Sequence, residues 1–513
     1  MQVIESVGSG RRALPVVPCR YFRSPPLTCR IDPIVSSRRW DVLAQAELDR
    51  LREAVYAVLA EVGVRFPLPR ALDILEAQGA AVDRQGELAR LPRALVEAAL
   101  AAAPPAFTLC GREPACDLPL DGRHCYLSND ASGVFVVDPA SGERRPSTLA
   151  DVAASARFVD ALPQIAFYWG PIVAAGDAPV ASRALHEAAA VLASTTKHFQ
   201  AVTCVGERPA RLLVEMAAAV RGGADELRRR PLVSLIACPV DPLGNDAVSL
   251  EAALVCAAAG VPCGFLSLTL GCGTAPASLS GNLVVNAAAV LADLVLLQLA
   301  SPGAPVFFAG APSVMDLRTG GYTGGGPEDD VLAADAIQLG HSFGLPVNMG
   351  TMATGGKEPG WQAGVDDALS TAASVLAGAD MMSGCGLLDG SRTLSYPHLV
   401  METEVYGIVK RLAEGIVVDD ETLALDAIRR VGPGGTYLAD RHTRRHAGEI
   451  WRPAIWDRTP YETWLAGGRK GALDKAAEAA AAILADHRPE PLSGDVAAEL
   501  AALAARADRE LRA

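Results

Sequence analysis

The sequence predicts an α/β fold, a closed (β/α)8 barrel carrying N-terminal helices and a small β cap, followed by a helical C-terminal segment. Three observations predict it. Short apolar runs such as "IAFYWG", "PLVSLIAC" and "APVFFAG" are too continuous to alternate, as expected of parallel strands buried on both faces. Helical segments separate such runs at 182–194, 208–220, 247–259, 280–300, 328–342 and 364–378. The count, at least seven strand–helix units, suits one closed barrel better than a doubly wound open sheet.

Taken in order, residues 1–40 hold seven arginines against Glu5 and Asp32, several prolines and little periodicity. They read as a poorly ordered or extended tail, an untidy N-terminus rather than a transit peptide. Residues 41–150 form N-terminal helices and a hairpin cap. "LDRLREAVYAVLAEVGV" and "PRALDILEAQGA" space apolar residues by three and four, whereas "FTLCGREPACDLPLDG" and "HCYLSNDASGVFVVDPASGERRPST" alternate around the turn "DPASGE". Residues 151–435 are assigned to the barrel, entered through the helix "STLADVAASARFVDAL" with Ser147 or Thr148 as N-cap. Its other strands read "HFQAVTC", "CGFLSL", "GLPVNMG" and "ADMMSG". Residues 436–513 form a helical C-terminal segment, with the Trp-rich "HTRRHAGEIWRPAIWDRTPYETW" before a long Ala-rich helix.

Barrel chemistry is sought at the C-terminal strand ends, here Tyr168-Trp169-Gly170, Cys204, Cys238-Pro239, Thr269 to Gly273, Gly310, Asn348 to Gly350 and Ser383-Gly384. A net charge of −13, a pI near 5.2 and the lack of a long basic stripe in the body argue against a nucleic-acid partner. The eleven cysteines lack paired zinc-type spacing and no secretory apolar segment precedes them, which points to a reduced, cytoplasmic setting. "AAAVLADLVLLQLA" reads as a buried helix, too short to span a bilayer and carrying Asp293 and Gln298, so no membrane is required.

"LSLTLGCGTAP" resembles the first loop of AdoMet-dependent methyltransferases, but the next strand, "APVFFAG", lacks the acidic end that would hold a ribose. "VGPGGTYL" follows a helix and reads as its stop. His442 and His446 stand four apart, a metal-ligand spacing without a diagnostic third ligand, and read as anchors of the C-terminal segment. His186-Glu187 reads as a buried hydrogen-bonded pair. Tyr168, Trp169, Phe307, Phe308, Tyr322, Trp361 and Tyr396 cluster near strand ends, and ring faces with carboxylates hold onium ions. Asp316, Glu328, Glu358, Glu402 and Glu404 can supply the charge.

Many motifs in order, among them "LAEVGVRF", "SGERRPSTLAD", "HEAAAVLASTTKHF", "GNLVVNAAAVLADLVLLQL", "GAPSVMDLRTGGYTGGGPED", "LAGADMMSGCGLLDG" and "WRPAIWDRTPYETW", resemble the trimethylamine:corrinoid methyltransferase family in its branch without pyrrolysine, which includes glycine betaine methyltransferase-like members. The resemblance spans roughly residues 44–492. It implies a TIM barrel that moves a methyl group from a methylamine or a quaternary amine to Co(I) of a separate, cognate corrinoid protein. The nucleophile is then the partner's cobalt, so no catalytic residue, metal or permanently bound cofactor is assigned to this chain, and the corrinoid (cobalamin) comes with the partner. Trimethylamine members carry pyrrolysine in the region after "GLP", where this chain has only standard residues, "GLPVNMGTMATGGKEPGWQAG". A neutral tertiary amine needs activation to leave, whereas a quaternary ammonium departs as a neutral amine by positioning and electrostatics alone.

The implied substrate is therefore a quaternary amine such as glycine betaine. The site expected for it comprises Tyr168, Trp169, Phe308, Tyr322 and Trp361 around the ammonium, with Asp316, Glu328 and Glu358 as charge partners. Asn348, Thr351 and Lys357 lie where the family difference falls, and Lys357 is placed to meet a betaine carboxylate. An AdoMet-dependent methyltransferase and a non-catalytic quaternary-amine-binding protein are the alternatives. The number of subunits is open, and Ala-rich helices offer a surface for a homo-oligomer.

Overall fold

The computed structural model describes residues 31–35 and 39–511. Eight parallel strands make a closed barrel: β1 (His124–Asn129), β2 (Ile165–Gly170), β3 (His198–Ala201), β4 (Val233–Ala237), β5 (Cys263–Ser267), β6 (Val306–Gly310), β7 (Val347–Gly350) and β8 (Met381–Cys385). Closure is made by β8 on β1, with Met382 opposite Leu127 and Ser383 opposite Ser128. A helix follows each strand: α1 (Leu149–Asp160), α2 (Arg183–Ser194), α3 (Glu207–Arg221), α4 (Ala247–Ala259), α5 (Leu279–Ala300), α6 (Pro327–Ser342), α7 (Trp361–Ala377) and α8 (Tyr396–Glu414).

Two boundaries differ from the sequence reading. The barrel starts at His124, because "HCYLSN" is its first strand and not part of the cap. Five of these six residues are buried, since β2 and β8 flank the strand. The barrel also ends at Glu414, and everything from there to Leu511 packs on its outside. Within that segment the helix Ala472–Asp486 lies against α8 and α1, and Gly494–Glu510 against α2 and α3. Most of the 1–40 tail lies outside the described residues, but Ile34–Val35 pairs antiparallel with His124 and Cys125 on β1.

The hairpin Phe107–Leu109 with Leu118–Leu120 closes the N-terminal end of the barrel. Leu109, Leu118 and Leu120 form one apolar cluster with Tyr126, Phe167, Phe307 and Met381 from the strands. The "DPASGE" turn does make a hairpin, Phe135–Val137 with Arg144–Pro146, which pairs with Thr393–Leu394 beyond β8.

Helix α5 is 22 residues long, longer than the apolar run that read as too short, and apolar enough to cross a membrane by length and composition. It is instead mostly buried, held against β5 and β6 on one side and under the helices Gln45–Ala57, Pro69–Ala77 and Arg93–Ala102 on the other. Contact on all sides is why it is apolar all round. Its polar residues are used. Asn282 Nδ2 donates to the Ser313 carbonyl at 2.8 Å, Asn286 Nδ2 to the Ser267 carbonyl at 2.8 Å, and Asp293 accepts from Asn245 Nδ2 at 2.8 Å.

Lys197, fully buried before β3, donates to the carbonyls of Val159, Leu162 and Ile165 at 2.7, 2.7 and 2.5 Å. It satisfies the C-terminal carbonyls of α1 where the chain turns into β2. Eight described cysteines are free thiols, and Cys116 is disulfide-bonded.

Candidate active site at the barrel mouth

Side-chain alternation decides what the barrel presents to its lumen. On β2, Phe167 and Trp169 join the inner cluster, whereas Tyr168 belongs to the layer between strands and helices. On β6 the inner residues are Phe307 and Ala309, and Phe308 faces outward.

The upper lumen is polar. Ser128 Oγ donates to Ser383 Oγ at 2.9 Å, Ser383 Oγ to Asn348 Oδ1 at 3.0 Å, and Asn348 Nδ2 to Gln200 Oε1 at 3.2 Å. This chain of buried side chains crosses from β1 through β8 and β7 to β3. It ends in a donor, Gln200 Nε2, that has no partner. Trp169, opposite Gln200 in the sheet, likewise buries an unpaired indole Nε1–H, and Thr351 Oγ1 is unpaired. Buried polar atoms of this kind are normally satisfied, so the adjacent unpaired donors of Gln200 and Trp169 mark a place suited to binding something else. Below them, His198 bridges the Cys110 carbonyl at 3.1 Å and Ser234 Oγ at 2.9 Å. Burial pushes its imidazole down to about 3, so it is a neutral structural bridge.

At the rim, one residue past β1, Asp130 is 6% exposed. Its Oδ1 accepts from Ala131 N at 2.7 Å, and its Oδ2 has no hydrogen-bond partner. Burial pushes this carboxyl up to about 6, against the stabilising pull of Ser391 and Ala131 N. Tyr322 stands beside it, on the strand pair Ser313–Asp316 with Gly321–Tyr322 that overhangs the mouth. The ring lies against Gly390, next to Ser391, and its phenol is raised by burial first, then by Asp329 and Asp130. Two further constraints fix the mouth. Asn129 Nδ2 donates to the Trp169 carbonyl at 2.6 Å, tying the ends of β1 and β2. Gly384 passes so close to β7 that a Cβ there would sit 1.7 Å from the Thr351 carbonyl oxygen.

Of the expected site residues, the structure brings Trp169 and Asn348 to Gln200 in the upper lumen, leaves Thr351 beyond the end of β7 with its N–H on the Ser383 carbonyl, and sets Tyr322 on the strand pair over the mouth. Two expectations are corrected by alternation. Tyr168 is turned to α1, its hydroxyl 2.9 Å from Ser155 Oγ and accepting from Ile172 N at 3.1 Å. Phe308 packs outward against α6, where a Cβ on Gly340 would meet its ring at 3.2 Å. The charged set is also displaced. Asp316 is paired with Arg318 at 3.3 Å, Lys357 with Asp389 at 2.9 Å, and Glu328 and Glu358 are exposed. Trp361, at the start of α7, is 88% exposed and shields nothing.

Elsewhere, Tyr396 packs on Phe158, ring centroids 4.7 Å apart, and Glu404 accepts from the Ala454, Ile455 and Trp456 amides to hold the C-terminal segment. His186 meets Asp508 at 3.0 Å, while Glu187 accepts from Ala175 N at 2.8 Å. His442 reaches the Glu421 carbonyl at 3.1 Å and His446 reaches Glu449 at 2.7 Å. The sequence reading missed Asp130 and Gln200. Asp130 was hidden because β1 read as cap, so its place at a barrel strand end was invisible. Gln200 sits inside an apolar run where only the inward register marks it.

The comparisons agree with this architecture. Residues 27–512 match the family described as trimethylamine methyltransferase (MTTB). The trimethylamine methyltransferase MttB of Desulfitobacterium hafniense is 34% identical over 90% of this chain and 93% of its own length. MttB of Methanosarcina barkeri is 30% identical over 91% and 95%, and a glycine betaine methyltransferase of Desulfitobacterium hafniense is 29% identical over 92% and 98%. Among solved structures, the Methanosarcina barkeri monomethylamine methyltransferase MtmB aligns with a TM-score of 0.51 at 9% identity, covering 88% of this chain and 89% of its own, a likeness of fold. With its barrel closed and its relatives aligned nearly end to end, the chain belongs to the trimethylamine methyltransferase (MTTB) family of methyltransferases.

Proposed function

We propose that this protein transfers a methyl group from a quaternary amine, with glycine betaine as the model substrate, to the Co(I) of a separate corrinoid protein that docks over the barrel mouth. The observation that carries the substrate class is Asp130: a buried carboxylate with an unpaired oxygen, beside a tyrosine ring, at a strand end. A cation without N–H groups is held by charge and ring faces rather than by directed hydrogen bonds, and Asp130 with Tyr322 offers both. One level deeper, the unpaired N–H groups of Trp169 and Gln200 suit an anion. A betaine has its cationic and anionic ends one carbon apart, so the ammonium at the rim and the carboxylate in the lumen satisfy both sets at once.

In this pose an N-methyl faces out of the barrel. When docked, the partner's corrinoid supplies the nucleophile for that methyl. The C–N electron pair stays on nitrogen, which leaves as a neutral tertiary amine, so this chain needs no general acid. Its work is to fix the ammonium and to exclude water through the rim strands, and orientation of this kind is worth several kcal/mol of barrel-mouth catalysis, about 7–11 kcal/mol at the upper end. The absence of any nonstandard residue in "GLPVNMGTMATGGKEPGWQAG" supports a substrate that needs no prior activation.

The test is methyl transfer with the purified chain, its cognate corrinoid protein reduced to Co(I), and glycine betaine. Methyl-cobalt formation with release of dimethylglycine is expected. Turnover with AdoMet alone would overturn the reading, and tight betaine binding without any methyl transfer would make the protein a binding module.

A further inference from the structure

Behind β8, away from the lumen, three side chains converge that the mouth does not use. Asp367 comes from α7, and His398 and Glu402, four residues apart on one face of α8, complete the group. All three are 1–2% exposed. His398 Nε2 lies 3.6 Å from Asp367 Oδ2 and 3.4 Å from Glu402 Oε1, and the three ligand atoms fall within 4.8 Å of one another.

These contacts are too long to be hydrogen bonds. Both ring nitrogens of His398, Glu402 Oε1 and Asp367 Oδ1 have no partner at all. The spacing matches another bond type. Around a tetrahedral ion with ligand bonds of about 2.0–2.2 Å, neighbouring ligand atoms stand about 3.3–3.6 Å apart. No Lys or Arg is ion-paired with either carboxylate among the described residues, so nothing else balances them.

We propose that Asp367, His398 and Glu402 bind one divalent transition-metal ion, zinc being one that takes such nitrogen and oxygen ligands. The site is structural. Glu402 already accepts from Gly386 N through its other oxygen at 2.7 Å, so the ion would join α7 and α8 to the turn that leaves β8. That turn leads into Leu387–Leu388 and Thr393–Leu394, which flank Ser391 and Gly390 beside Asp130 and Tyr322. The site is independent of the substrate assignment.

The experiment uses the full-length protein, stripped with a chelator and reloaded with Zn2+ or Co2+. One equivalent per chain by elemental analysis, the visible bands of low-symmetry four-coordinate Co2+ and a rise in melting temperature with added ion are expected. Glu402→Gln and His398→Gln should bring the stoichiometry near zero and abolish the Co2+ bands. Because Glu421, His442 and His446 form a second, more exposed group, the variant His442→Ala/His446→Ala should keep the equivalent. A reloaded wild-type chain without metal would overturn the proposal, as would metal lost from the His442/His446 variant but retained by Glu402→Gln. Should the His398 variant fail to fold, the more conservative Glu402→Gln, read by the Co2+ bands, decides.

Discussion

Replacing Asp130 by asparagine keeps the shape of the side chain and its acceptor for Ala131 N, and removes only the charge. An ammonium centre about 4 Å from a carboxylate gains about 4 kcal/mol at an effective permittivity of about 20, the range suited to a site near a protein surface. Near pH 7.5 the carboxyl, with its pKa at about 6, is already ionised before ligand arrives, so binding does not pay to charge it. The amide dipole and admitted water recover part of the loss. The expected penalty is about 3 kcal/mol, roughly a hundredfold in Kd. The sign of the pH dependence follows from the raised pKa: wild-type affinity is full above about 6 and falls as the pH drops through it, by about tenfold at pH 5. The gap between wild type and Asp130→Asn therefore narrows to about tenfold at pH 5. Isothermal titration with glycine betaine at both pH values checks this, with 3,3-dimethylbutanoate, the same shape without the positive charge, as control. The reasoning fails if the variant binds betaine as wild type does, or if it loses the isostere lacking the ammonium to the same degree.

Trp169→Phe removes the unpaired indole donor and should weaken glycine betaine about tenfold, the worth of a hydrogen bond to a charged group, while leaving tetramethylammonium unchanged in the same titration. Trp361→Ala should leave betaine affinity unaltered, because the ring is 88% exposed, yet raise the KM for the corrinoid partner severalfold in the transfer assay if that partner docks on the rim. Gly384→Ala forces a methyl group onto the Thr351 carbonyl and should cost more than about 3 kcal/mol in urea unfolding, whereas the same change at open Gly364 should cost little.

How much of this was legible depended on period and on neighbours. The seven strands from "IAFYWG" to "ADMMSG" could be read because burial on both faces makes a run continuously apolar, and α4 was bounded to the residue because Asp246 caps it and Gly260 ends it. β1 could not, because "HCYLSN" mixes polar lumen residues with apolar outer ones and so looks like a one-sided hairpin strand. The same ambiguity scattered the expected site. A continuously apolar strand does not declare which parity faces inward, so Tyr168 and Trp169, or Phe307 and Phe308, were equivalent until the register fixed them. Charged residues misled for a different reason: Asp316, Lys357 and Glu358 are near the mouth in sequence, but exposed charges find local partners or water, and the charge that counts is the one the fold buries.

Buried charge also links the two proposals. Asp130, Asp367 and Glu402 lie close enough that burial, Asp367 and Asp130 together push Glu402 well above the usual carboxylate range, and Cys385 between them is raised as well. No lysine or arginine enters this neighbourhood as an ion-pair partner among the described residues, since the nearest cations on the mouth, Lys357 and Arg392, are committed to Asp389. Without a resident cation, Asp367 and Glu402, which burial raises well above the usual carboxylate range, stay protonated unless a cation arrives. A divalent ion at Asp367, His398 and Glu402 would displace the two protons that burial keeps on Asp367 and Glu402, so the net charge of the site, and with it the field at Asp130, changes little. Metal-loaded and stripped protein should therefore share one pH profile of betaine affinity, and a profile displaced to lower pH on loading would show that Asp367 and Glu402 are already ionised without the ion.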